Sequence, residues 1–127
     1  MSAERTVTVH TFDHGPIVIS EPSWCAGLHE DGLHLVDLEH TSAKTVLTVD
    51  TERGPVELLH AMLTQAPYAE RPESRRVNVA ANIGGDYQRF RDETALRLLA
   101  AQLVVEAGRL RVLAYELASL HSAEAGR

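Results

Sequence analysis

Cysteine and histidine side chains bind borderline metals and serve as nucleophile and base, and in this chain they are concentrated in one place. The segment Glu21-Pro22-Ser23-Trp24-Cys25-Ala26-Gly27-Leu28-His29-Glu30 holds the only cysteine and the only tryptophan, and His34 and His40 follow within the next ten residues. Cys25 and His29 are four residues apart in a loop that contains Pro22 and Gly27, with His40 on the next extended segment. Completed by Glu21 or His34, the trio Cys25, His29 and His40 offers the sulfur, nitrogen and oxygen donors that zinc takes in tetrahedral coordination.

Other uses of the same residues compete with a metal. Trp24 and Cys25 also suit a core, with the histidines as ordinary strand residues; Trp24 would then anchor the loop by packing on the sheet or on the final helix. A thiol enzyme would use Cys25 activated by His29, His34 or His40 and oriented by Asp37 or Glu39, yet no oxyanion loop is recognisable. His29-Glu30-Asp31-Gly32-Leu33-His34 is no zinc-protease helix, because it has one residue too many between Glu and the second His and Gly32 interrupts it. Arg71, Arg75, Arg76, Arg89 and Arg91 lie near Tyr68 and Tyr87, but Glu70, Glu73, Asp86 and Asp92 interleave with them, as on a solvated surface. Gly84-Gly85 lacks the Lys-Ser/Thr of a phosphate loop. His10, His14 and His60 stand alone as turn or sheet residues.

The elements that would position the site follow from periodicity. Thr6 to Phe12 alternates, Asp13-His14-Gly15-Pro16 supplies a turn, and Ile17-Val18-Ile19 resumes, which makes a hairpin. Leu33 to His40 reads as a strand, placing His34, Val36, Leu38 and His40 on one face. Thr45 to Thr51 is the next β-branched run. Pro55 to Gln65 fits either a helix or a buried strand, and its place between two sheet-like runs favours strand. Val77 to Ile83 and Tyr87 to Phe90 flank Gly84-Gly85 as a second hairpin. From Asp92, a capping residue, a helix runs to about His121. Leu96, Leu103, Leu110 and Leu117 recur every seven residues with Leu99, Leu113 and Leu120 between them. That stripe requires burial, and Leu98, Val105 and Val112 form a second one. Either the helix is sandwiched or it meets a second copy.

At 127 residues the chain has the length of one domain. A net charge of −6 argues against nucleic acid and against anionic membrane surfaces. A lone cysteine makes no internal disulfide, no apolar signal segment opens the sequence, and no apolar run approaches the roughly 20 residues of a membrane span. The expected compartment is the cytoplasm.

The order Thr6-Val7-Thr8-Val9, Asp13-His14-Gly15-Pro16, Pro22-Ser23-Trp24-Cys25 with His29, a strand ending in His40, Leu63-Thr64-Gln65-Ala66-Pro67-Tyr68, Arg75-Arg76-Val77 and a Leu-rich final helix resembles a family of small uncharacterised proteins from high-GC, actinobacterial-type genomes. Relatives of that kind often carry Cys before the Pro, where this chain has Glu21, so the resemblance implies a metal site and assigns no activity. The sequence thus predicts one α+β domain over residues 1–127. An antiparallel sheet of five to six strands, mainly within 5–90, packs with a long helix over 92–121, and 122–127 is a frayed tail. Its expected role is a non-enzymatic binding or regulatory module with a structural zinc, a small-molecule or protein ligand, and a homodimer contact through the helix; the alternative is a small enzyme that uses Cys25 as nucleophile or an open metal site.

Overall fold

The computed structural model describes residues 5–126. Seven antiparallel strands fall into a two-stranded and a five-stranded sheet, and one long α-helix ends the chain. The chain forms two compact units that divide between Arg91 and Asp92.

In the first unit, β1 (Arg5–Thr11) pairs with β2 (Gly15–Glu21) from Thr11 opposite Gly15 to Arg5 opposite Glu21. Gly15 takes φ +64, which closes this three-residue loop without a Cβ penalty. Cross-strand partners share a face, so Val7, Val9, Ile17 and Ile19 turn one way and Glu21 ends the same row. Val9, Ile19 and Leu38 make a small buried core, with Val7, Ile17 and Leu35 packed around it.

The expected strand from Leu33 to His40 does not form. Leu35–Asp37 is instead a 3-10 turn, and only β3 (His40–Thr41) is extended in a ladder. Leu35 and Leu38 both join the hairpin core. Side chains three apart meet on one side of a 3-10 turn and on opposite sides of a strand, so hydrophobic burial selects the turn. The Asp13 carboxylate accepts from the Leu35 amide at 2.9 Å, and that bond holds the Asp13 acid below its usual range.

β5 (Gly54–Gln65) is the spine of the second sheet, which settles that segment as strand. β3 and β4 (Thr45–Thr51) share one edge of it, and β6 (Asn78–Ile83) then β7 (Asp86–Phe90) follow on the other. Register shifts by one residue beside Leu47 and Thr48, where Leu58 forms a bulge. Gly84 and Gly85 both have positive φ, as the tight β6–β7 turn requires. One face of this sheet carries a polar network: Thr64 donates to the Asn78 side chain at 2.9 Å, and Arg89 donates to Thr64 at 2.7 Å. His60 is not isolated, since Glu57 and Tyr87 bond its two ring nitrogens at 2.8 and 2.7 Å.

The second unit is α1 (Glu93–Ala125), capped by the Asp92 carboxylate accepting from the Ala95 amide at 2.8 Å. It continues beyond His121 to Ala125, through the residues read as a frayed tail; Ser122, Ala123 and Glu124 contain no helix breaker. None of its residues is buried, and Leu98, Val105 and Val112 are all more than half exposed. No helix among the described residues is long and apolar enough to cross a membrane.

Leu38, 3 % exposed, fastens the 3-10 turn to the hairpin two residues before His40. Leu38→Ala should lower unfolding stability by about 2–5 kcal/mol in a denaturant titration. A change below 1 kcal/mol would show that the core of β1 and β2 does not hold this turn.

Candidate metal centre

Glu21 is delivered by the hairpin ladder. Its inward position and 3 % exposure leave a carboxylate that needs partners, and Arg5, directly across the ladder, approaches it at 3.1 Å. A second nitrogen of the same guanidinium donates to the Cys25 carbonyl at 2.7 Å. Pro22 fixes its own φ, and the Cys25 amide donates back to the Pro22 carbonyl at 3.0 Å, closing a turn that aims the thiol toward Glu21. Gly27 has φ +79 and lies against Arg5 and Glu21, so its amide can donate to the Cys25 sulfur at 3.4 Å. The loop then ties to the second sheet through the Ala26 amide and the Thr41 carbonyl at 2.8 Å. His40 arrives on β3, held by β5.

Glu21, Cys25, His29 and His40 thus converge, one donor atom from each lying within 4.8 Å of every other. The Cys25 sulfur is 3.1 Å from the Glu21 Oε1 and 3.9 Å from the His29 Nε2, and His29 Nε2 also meets that carboxylate oxygen. A tetrahedron with zinc–ligand bonds of roughly 2.0–2.3 Å has edges of roughly 3.3–3.8 Å, which these separations bracket. The His40 Nδ1 is buried with no hydrogen-bond partner, a costly state for an imidazole lone pair that a metal would relieve. The residues present fit a divalent ion of zinc's kind.

Protonation fits as well. Burial, reinforced by the His29 charge, lowers the His40 pKa despite Glu21 nearby, so the ring stays neutral and able to ligate. Burial acts to raise the Glu21 acid, but hydrogen bonds from His29 and Cys25 and the charges of His29 and Arg5 outweigh it, leaving a carboxylate. Burial pushes the Cys25 thiol up, and Glu21 adds to this against the Gly27 amide. Without a cation the thiol is protonated, the opposite of an activated nucleophile.

Of the residues expected at the site, four come together and His34 does not. The 3-10 turn directs His34 outward, where its ring lies 5.1 Å from Phe12. Arg5 was not foreseen as part of the cluster, although counting the hairpin register back from Gly15 pairs it with Glu21. A cavity of about 280 Å³ opens beside His29, with Leu28, Leu33, Leu38, Thr41 and the acids Asp37 and Glu39 in its wall.

Trp24 is half-buried and stands edge-on to His40, ring centroids 6.2 Å apart. It therefore packs against a donor. Trp24→Ala should weaken metal binding by about 10- to 100-fold, as for the loss of other groups that orient ligands, measured by competition with a chromogenic chelator. Unchanged affinity would make the indole a contact for something else.

A comparison with curated proteins gives no match, and neither does one with solved structures. The model of a Domain of unknown function (DUF6907) does match, over residues 6–119. That span runs from β1 into α1 and includes every donor of the centre, and the chain belongs to this family.

Proposed function

We propose that this chain is a small non-enzymatic binding or regulatory module of the cytoplasm, whose binding loop is held in shape by one structural zinc ion on Glu21, Cys25, His29 and His40. The observation that carries this reading is the convergence of four donors of zinc's preferred types, three of them at buried positions and His29 half-buried. Four protein ligands complete a tetrahedron and leave no position for an activated water, which favours a structural over a catalytic role. Zinc would supply the positive charge that lets Cys25 ionise in a buried place and would give the His40 lone pair its partner.

The loop so held forms much of the wall of the cavity beside His29, where a small molecule or a peptide side chain would be received. An enzyme built on Cys25 is the less supported alternative. The thiol is 4 % exposed and its ionisation is opposed by burial and by Glu21.

Protein purified without chelator should contain about one zinc per chain by elemental analysis, and Cys25→Ser and His40→Ala should each lose it. Zinc-free wild type, or full zinc in both variants, would sink the proposal. Glu21→Cys, which exchanges a carboxylate for a softer thiolate, should tighten zinc binding by on the order of tenfold. Binding displaces the proton that the metal-free Cys25 thiol carries, so affinity should fall as pH drops across the neutral range, and more steeply in the acid range where His40, its pKa lowered by burial, also takes a proton. Iodoacetamide at neutral pH should leave Cys25 largely unmodified for hours; stoichiometric alkylation within minutes would restore the enzyme reading.

A further inference from the structure

The leucines of α1 recur at a spacing that a sheet does not ask for. Leu96, Leu103, Leu110 and Leu117, with Leu99, Leu113 and Leu120, average one apolar residue per 3.5 positions, interrupted only by Glu106. A straight helix has 3.6 residues per turn, so such a seam stays on one side only if the helix supercoils around another helix. Among the described residues α1 is the sole α-helix, so the complementary helix comes from another molecule. A second copy brings the same seam, and a two-fold axis makes one surface serve both sides.

Glu106 decides the orientation. In a parallel pair it would face the other Glu106 in the same layer, placing two carboxylates together in an apolar seam. In an antiparallel pair reflected about Gly108, the layers are Leu96 on Leu120, Leu99 on Leu117 and Leu103 on Leu113, with Glu106 beside Leu110. Every other layer is then leucine on leucine. Arg109, which meets Glu106 at 3.2 Å within its own chain, comes within reach of Glu106 of the second copy as well. At the ends, Glu93 falls near His121 of the second copy, an opposite-charge match when the imidazole is protonated. Along one flank Ala100, Ala107 and Ala114 leave room for close approach, and Ala107 faces its own equivalent across the axis.

We infer that α1 is a dimerisation element that pairs with α1 of a second copy, antiparallel about a two-fold axis at Gly108. The contact is independent of the metal centre, and chelator should leave it intact. Sedimentation of the full chain at tens of micromolar should give a dimer, and Leu103→Glu or Leu113→Glu should give a monomer. Because a charge added to the seam can also unfold the helix, Glu106→Leu serves as the second probe: removing the one seam charge should tighten the dimer about tenfold or more. Orientation is read by disulfide formation under mild oxidation, against wild type with Cys25 alone as baseline. Ala107→Cys should cross-link across the axis, and Leu96→Cys should not. A wild-type monomer, a dimer that survives both seam substitutions, a dimer weakened by Glu106→Leu, or cross-linking at position 96 in place of 107 would each overturn the inference.

Discussion

A carboxylate that the β1–β2 ladder buries is the constraint around which the first unit is arranged. Alternation along β2 places Glu21 at the end of the inward row, behind Ile17 and Ile19. An ionised group taken out of water costs several kcal/mol unless it is paired and hydrogen-bonded. Arg5 supplies one partner across the ladder, and the loop from Pro22 to His29 doubles back to bring Cys25 and His29 as others. Much of the loop's path follows from that need. The turn at Pro22 and the positive φ at Gly27 both bring polar groups to a point that would otherwise be left unsatisfied.

Much of this was legible in the sequence where a local rule and the tertiary structure agree. The β1–β2 turn, the Gly84-Gly85 turn and the Asp92 cap are local chemistry; the last two form where their residues predict, and the first lies at Phe12 to His14, with Gly15 and Pro16 already in β2. Pro55 to Gln65 was ambiguous by periodicity because Leu58-Leu59 and Met62-Leu63 place apolar residues side by side, and the bulge at Leu58 breaks the alternation within β5. Leu33 to His40 misled for a physical reason. Its apolar residues fall on both faces of the expected strand, Leu33 and Leu35 on one and Val36 and Leu38 on the other, and the small hairpin core takes Leu35 and Leu38, whose spacing suits a 3-10 turn. The same turn moves His34 away from the cluster. Three donors were readable from their closeness in sequence; His40 was read as the end of the Leu33 to His40 strand, whereas it opens β3. Arg5 was hidden because its role depends on register, which single-residue chemistry does not express.

The helix poses the reverse case, since its pattern was plain and its partner was not. Apolar residues occupy more than one side of α1, and none of them is buried. A helix in a protein draws most of its stability from packing of its apolar face rather than from propensity. The heptad leucines carry information beyond hydrophobicity, as their period distinguishes a helical neighbour from a flat one. Glu106 adds a second layer of information by making two otherwise similar alignments unequal in energy.

The placement of the donors has a consequence for cooperativity. Glu21, Cys25 and His29 belong to the two-stranded sheet and its loop, whereas His40 opens a strand hydrogen-bonded to β5 of the five-stranded sheet. An ion shared by all four is a cross-link between two sheets that have separate ladders. Each sheet could otherwise open at its own free-energy cost, as partly independent units commonly do. With the ion in place, neither opens without giving up coordination energy, so amide exchange in β1 and in β5 would converge on a single protection level.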